Sequence, residues 1–306
     1  MKATLASPLP RPLVLAGALL CLLAGCGRQA SAPAAPSAAA DPAGHAIRGE
    51  VVAVTPARSS VLVHHEEIPG YMPPMTMEFI VAPADLARLK EGQRLRARMT
   101  EDDRHNLHLE AIELIDPLKE QAVAAAANQL RQDTAARGGG AYRELGETVP
   151  QFTLYNQDGD VVSINRFRGR RVVMNFIYTR CPIANMCPLS TQRMMDLQRA
   201  AREQGVGNLE LLTLTLDPAY DTPPVLKEYA RVRGIDTGNF TFLTGPEPAV
   251  RDLLHQFGVI VEPGENYLKH TLSTILIDEQ GRIVFRVDGT SWSPAEFLRH
   301  LTPTTR

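Results

Sequence analysis

The chain has 306 residues, 44% of them hydrophobic, and a formal net charge of -2. That length supplies two modest domains with a core in each, and the near-neutral balance gives no reason to expect nucleic acid as a partner. Residues 1 to 25 begin basic (Lys2, Arg11), continue through an apolar run from Leu13 to Leu23, and end in Leu23-Ala24-Gly25-Cys26. About a dozen apolar residues fall short of the ~20 that span a bilayer. The segment therefore reads as a secretory signal with a lipobox, in which Cys26 is lipidated and becomes the first mature residue. The expected location is the cell envelope, on the periplasmic or outer side of the inner membrane, with a lipid anchor as the membrane contact. Of the four cysteines, Cys21 leaves with the signal and Cys26 carries lipid. Cys181 and Cys187 remain as thiols, in a compartment where an unprotected pair tends to oxidise.

Residues 26 to 45 repeat Ala, Pro and Ser and read as a flexible tether. From 46 to 116 the pattern becomes short alternating strands: Ile47 to Thr55, Ser60 to Glu66, Met77 to Val81, Arg94 to Thr100 and Asn106 to Ile115. Strands this short and this closely spaced predict a small all-β barrel of the OB type. Inside it lies His64-His65-Glu66-Glu67-Ile68-Pro69-Gly70-Tyr71-Met72-Pro73-Pro74-Met75-Thr76-Met77. Met75 and Met77 are two apart, so on a strand they share a face. Two thioethers and an imidazole suit Cu(I), because soft ligands select soft metals. The same methionines also suit the packing of a small core. This stretch, continuing into Glu78-Phe79, resembles the CusF-type periplasmic copper-binding domain. The resemblance implies His65, Met75 and Met77 as metal ligands, with Met72 where that family places a tryptophan over the metal. Periodicity alone leaves the choice between His64 and His65 open.

Residues 117 to 141 form an alanine-rich helical stretch followed by Gly138-Gly139-Gly140, read as a linker with a glycine hinge that allows the domains to move independently. From 142 to 306 strands and helices alternate. The expected order is an apolar strand to Tyr178, a cysteine loop, a helix near 188 to 204, a strand Leu209 to Leu216, a helix near 223 to 233, and a strand Phe240 to Leu243. A helix near 247 to 257, the strand pair Thr274 to Asp278 and Arg282 to Val287, and a final helix from Pro294 complete it. This is the pattern of a three-layer α/β domain.

The loop Cys181-Pro182-Ile183-Ala184-Asn185-Met186-Cys187-Pro188 sits at a strand-to-helix junction, where the helix start lowers a thiol's pKa and favours a nucleophile or a soft-metal ligand. A helical path from Cys181 to Cys187 would separate the Cα atoms by about 9 Å. A disulfide needs about 4.4 to 6.8 Å, so the loop must turn back if the sulfurs are to meet. Structural zinc normally wants four ligands, whereas two thiolates and one imidazole suffice for trigonal Cu(I) and also hold Cu(II). A structural disulfide is the plain alternative. His270, just ahead of a strand, is the third candidate ligand. Asp217 either hydrogen-bonds near the site or starts a local turn with Pro218. His45, His105, His108, His255 and His300 fall outside any ligand pattern.

Phe176-Ile177-Tyr178-Thr179-Arg180-Cys181-Pro182, Leu214-Thr215-Leu216-Asp217-Pro218 with Asp221-Thr222-Pro223, and His270-Thr271 together resemble the SCO/SenC family of thioredoxin-fold copper chaperones. The resemblance implies a thioredoxin-like α/β domain, copper bound by Cys181, Cys187 and His270, and a role in assembling the CuA centre of cytochrome c oxidase. The CuA subunit or another periplasmic copper protein is then the partner. The gap between the cysteines is longer than the family's usual spacing, which bears on metal geometry, and no proline stands where a thioredoxin fold places its cis-proline beside the cysteines. The combined expectation is an envelope metallochaperone that captures Cu(I) in the barrel and hands it on through Cys181, Cys187 and His270. The alternatives are a thiol-disulfide oxidoreductase, in which Cys181 attacks and Cys187 resolves, and a copper-resistance or storage protein.

Overall fold

The computed structural model describes residues 44–264 and 267–301. The signal, the lipidated Cys26 and nearly all of the tether lie outside the described residues. Period-two alternation builds the first domain. Along Arg94–Glu101 the side chains of Leu95, Ala97 and Met99 are buried, while Arg94, Arg96 and Arg98 take the other face. Five such strands, β1 (His45–Thr55), β2 (Ser60–His65), β3 (Met75–Val81), β4 (Arg94–Glu101) and β5 (Leu107–Leu114), close into a barrel in the order β1-β2-β3-β5-β4. A short helix, α1 (Pro83–Leu86), links β3 to β4. Val61, Val63, Phe79, Leu95 and Ile112 fill the interior.

Helix α2 (Pro117–Arg137) starts cleanly. Asp116 accepts from the Leu118 and Lys119 amides, and Pro117 occupies the first turn, where its missing N–H costs nothing. Contrary to the expected free linker, α2 is docked. Val123 and Leu130 are buried, and the helix packs on the second domain against Glu247–Gln256 and Thr153–Asn156. Polar ties reinforce this: Lys119 Nζ reaches the Gly159 carbonyl (3.0 Å) and Asp160 (2.9 Å), Arg143 pairs with Asp133 (2.6 Å), and Arg137 with Glu147 (2.8 Å). Glu120 turns the other way and pairs with Arg48 of the barrel.

The second domain contains β6 (Thr153–Asn156), β7 (Val161–Ser163), β8 (Arg171–Ile177), α3 (Cys187–Glu203), β9 (Leu209–Thr215), α4 (Pro223–Val232), β10 (Phe240–Thr244) and α5 (Glu247–Gln256). It continues through β11 (Val261–Pro263), β12 (Leu268–His270), β13 (Ser273–Ile277), β14 (Ile283–Asp288) and α6 (Pro294–Leu301). Its mixed sheet runs β14-β13-β8-β9-β10-β6-β7. Strands β8, β9 and β10 are parallel, joined through α3 and α4. The two central strands are buried almost end to end, which explains their unbroken apolar character. The polar Asn175 inside β8 is satisfied by Ser190 (2.9 Å) and Thr213 (2.6 Å). Among the described residues no helix is long and apolar enough to cross a membrane.

Gly49 of β1 crosses β2 so closely that a Cβ there would lie 2.5 Å from the His64 carbonyl oxygen and 2.9 Å from the His65 Cα. Gly49→Ala is expected to push β2 outward and destabilise the barrel by about 1–3 kcal/mol, measured by chemical denaturation.

Candidate metal centres

Strand β8 delivers the chain into the cysteine loop at the centre of the sheet, and α3 takes it up again at Cys187 with Pro188 in the first turn. Between them the backbone turns twice, through Cys181 N–H to the Tyr178 carbonyl (3.3 Å) and Met186 N–H to the Ile183 carbonyl (3.0 Å). The loop therefore folds back instead of extending as helix. Both cysteines are free thiols, with Cys187 wholly buried and Cys181 9% exposed. Their side chains interact with each other.

His270 ends β12, part of a two-stranded ribbon with β11 that places it over the cysteines. Its Nε2 lies 3.6 Å from Cys187 Sγ, and its Nδ1 lies 3.1 Å from the Thr271 carbonyl oxygen. A carbonyl only accepts, so Nδ1 carries the proton and Nε2 presents its lone pair to the thiol. The Tyr178 ring meets this imidazole edge-on at 5.7 Å. Burial lowers the His270 pKa, partly offset by the Thr271 hydrogen bond, which keeps the ring neutral near pH 7. Burial also pushes the Cys187 thiol well above its ordinary value, despite a hydrogen bond from the Tyr178 backbone. The expectation that a helix start would lower this thiol's pKa is thus overturned at Cys187, because the cost of desolvating the thiolate exceeds what the helix start returns.

The loop rests on Asp221, which enters the sequence analysis as part of a motif with no role of its own. Its carboxyl has no exposed surface. It accepts from the Thr179 amide (3.1 Å), the Thr179 hydroxyl and the Thr215 hydroxyl (2.6 Å), joining the ends of β8 and β9 beneath the cysteines. Burial pushes its pKa up to about 7, against the pull of those hydrogen bonds. Asp217 plays both roles considered for it. It begins the turn, with its carbonyl accepting from the Tyr220 and Asp221 amides, and its carboxylate accepts from Arg180 Nε at 2.8 Å.

In the barrel, register separates the two adjacent histidines. His65 pairs with Met75 across β2 and β3, and Val63 pairs with Met77, so His65, Met75 and Met77 share one face. His64 pairs with Thr76 on the other face and bonds its hydroxyl at 2.9 Å. His65 is fully buried, and its Nδ1 is held by the Glu66 carbonyl oxygen at 2.7 Å. Its Nε2 is buried without a hydrogen-bond partner. An orphaned imidazole nitrogen beside two thioethers has the donor chemistry of a soft-metal site. Met75 is 40% exposed, whereas Met72 and Met77 are half-buried against the barrel core. Among the described residues no three His, Cys, Asp or Glu side chains form a ready-made metal cluster. The Cys187–His270 pair and the thioether site each depend on further donors, Cys181 in one case and methionine sulfur in the other.

Residues 140–305 match the family profile described as SCO1/SenC, and residues 44–114 match the one described as copper binding periplasmic protein CusF. The SCO1 protein homolog of Bacillus subtilis (strain 168) is 30% identical over 154 residues, which span 49% of this chain and 78% of its own. Among solved structures, a SCO1/SenC family lipoprotein from Bacillus anthracis str. Ames is 26% identical, with a TM-score of 0.48 over 53% of this chain and 97% of its own. Bradyrhizobium japonicum ScoI with copper bound is 24% identical, with a TM-score of 0.44 over 51% of this chain and 98% of its own.

Asp221 gives a pH signature. Its carboxyl titrates near 7 in the folded chain and near 3.9 when unfolded, so between these values the folded state binds more protons. Its contribution to stability is therefore intact below about pH 4 and declines as pH rises through 7, by roughly 4 kcal/mol at most. Denaturant titrations from pH 4 to 8 are expected to show that decline, and Asp221→Asn is expected to flatten it.

Proposed function

The chain belongs to the SCO1/SenC family, whose thioredoxin-like fold its second domain carries, and from that premise we propose that it is an envelope copper chaperone that captures Cu(I) in its barrel and delivers it through the cysteine loop. The carrying observation is the matched way in which two histidines are held. His65 and His270 each give Nδ1–H to a backbone carbonyl and turn Nε2 toward sulfur or an unpartnered space. Such an outer hydrogen bond fixes the tautomer and orientation of a metal-binding imidazole. His65, Met75 and Met77, with Met72 beside them, are the ligands we assign to the first site. Cys181, Cys187 and His270 are those of the second. We read the barrel as OB-like from its strand order β1-β2-β3-β5-β4.

Copper here is cargo. Neutral imidazole and thioether donors take up Cu(I) without losing protons, whereas the cysteines must become thiolates, so loading the second site releases protons to water. A hydrophobic setting that resists an isolated thiolate accepts one that is neutralised by a cation. The second site also accommodates Cu(II), since two thiolates and an imidazole serve either state. The intended recipient is the CuA subunit of cytochrome c oxidase or another periplasmic copper protein, reached from a lipid anchor at Cys26 in the envelope. The match of residues 44–114 to a periplasmic copper-binding protein supports that location.

A second reading has a specific observation behind it, because Cys181 and Cys187 are unbridged and their side chains interact. In a thiol-disulfide reductase, Cys181 attacks the target disulfide and Cys187 resolves the mixed disulfide. A copper-resistance store would use the same ligands without handing the metal on, and a deletion strain separates it by losing copper tolerance instead of oxidase activity.

Under reducing conditions, titration of the full chain is expected to show two Cu(I) equivalents. One is lost in Cys181→Ser/Cys187→Ser and the other in Met75→Leu/Met77→Leu; a wild-type chain that bound no Cu(I) would refute the chaperone reading. Metal-free protein is expected to reduce a disulfide substrate slowly or not at all. Efficient turnover that vanished in Cys181→Ser would instead favour the reductase.

A further inference from the structure

The outer face of β4 carries Arg94, Arg96 and Arg98 at two-residue spacing, and all three are engaged. Arg94 pairs with Glu66 (2.8 Å) and Glu120 (3.7 Å). Arg96 lies 5.2 Å from the centre of the Tyr155 ring, and Arg98 lies 5.0 Å from that of Tyr220. The barrel thus sets two of these arginines against tyrosines of the second domain, an attraction between positive charge and the electron-rich ring face, while Arg96 also pairs with Glu113 (3.4 Å) and Arg98 with Glu110 (2.8 Å) in the barrel.

Tyr220 is engaged twice. The Arg180 guanidinium lies 4.8 Å from the same ring centre, and Arg180 immediately precedes Cys181. Tyr220 is also firmly mounted. It sits between Asp217, which holds Arg180, and Asp221, which holds Thr179 and Thr215. One aromatic ring therefore joins a cation from the barrel to a cation of the cysteine loop.

Beside this contact is a cleft of about 120 Å³, lined on the barrel side by Gly44, Ala46 and Arg98 and opposite by Arg180, Asp217 and Tyr220. Between Gly44 and Ala46 stands His45, whose ring stacks on Tyr71 at 4.0 Å. Tyr71 leads directly into Met72. The lip of the barrel that walls the cleft is thus the lip that supports the methionine loop.

We propose that Tyr220 clasps the barrel to the cysteine loop through Arg98 and Arg180, and that Cu(I) passes from the methionine site to the cysteine site within this docked arrangement. The clasp rests on the copper reading above and adds to it a fixed interface in place of a swinging hinge. In the transfer, copper leaves the His65 imidazole and the Met75 and Met77 sulfurs and forms bonds to the Cys181 and Cys187 sulfurs and the His270 Nε2. Two thiol protons go to water, and the metal stays Cu(I) throughout. Docking holds donor and acceptor sites in one chain, so the step is intramolecular and its rate constant is independent of protein concentration. Tyr220 and Arg98 are positioning residues; neither is assigned as a copper ligand.

The test adds one equivalent of Cu(I) to the reduced full chain in a stopped-flow instrument and follows the thiolate-to-copper absorption that develops after capture. Arg98→Ala and Tyr220→Ala are expected to slow this phase about tenfold or more while both variants still bind two equivalents. Tyr220→Phe and Arg98→Lys, which keep the ring and the cation, are expected to stay within about twofold of wild type. An unchanged rate constant in Arg98→Ala, or a wild-type observed rate constant that rises with protein concentration, would overturn the proposal. A metal-free arm keeps it separate from the copper reading. Labelling of Cys181 by a bulky neutral maleimide is expected to quicken several-fold in Arg98→Ala and not in Arg98→Lys. Equal labelling in all variants would show that the barrel does not cover the loop, whatever the chain does with copper.

Discussion

A carboxyl with no exposed surface underlies the cysteine loop. Asp221 takes the amide and hydroxyl of Thr179 and the hydroxyl of Thr215, fastening the end of β8 to the end of β9 where both strands leave the sheet. Burying such a group is tolerable only because its hydrogen bonds are supplied by fixed neighbours. The turn that returns Cys187 toward Cys181, the seat of Arg180 on Asp217 and the angle of Tyr220 all start from that knot. A longer gap between the cysteines is accommodated because the two ends of the loop are secured independently, one by Asp221 and the other by the start of α3.

The two domains present donors of different chemistry. In the second domain burial disfavours charge, so His270 stays neutral and Cys187 holds its proton. In the barrel two of the three donors we assign, Met75 and Met77, are thioethers that carry no charge. In the proposed transfer, a cation passing from the barrel to the cysteines goes from thioethers, which bring no charge, to thiolates, which neutralise copper, and that difference gives the exchange a direction.

Much of this was legible in the chain. Alternation of Leu95, Ala97 and Met99 with Arg94, Arg96 and Arg98 marks a barrel strand, and the unbroken apolar runs of β8 and β9 mark central parallel strands. Periodicity did not separate His64 from His65, because the decisive fact is a cross-strand register with Met75. The ribbon of β11 and β12 is three residues a side, too short for alternation to register, so His270 read as loop. Docking of α2 was hidden for another reason. Only Val123 and Leu130 of this alanine-rich helix are buried, and much of the rest of its attachment comes from ion pairs with residues remote in sequence, Lys119 with Asp160 and Arg131 with Asp252. The raised Cys187 pKa was misread because a helix start is visible in sequence, whereas the burial that outweighs it is a property of the whole packed domain.

The proposed barrel site also has a way in. Met75 is 40% exposed, while His65 behind it has no exposed surface. A cation arriving from solvent therefore meets a thioether before it meets a nitrogen. Magnesium, calcium and other hard ions keep their water in front of such a donor. If these side chains bind metal as proposed, the order of donors, sulfur outside and imidazole within, makes the doorway a chemical sieve against abundant hard cations.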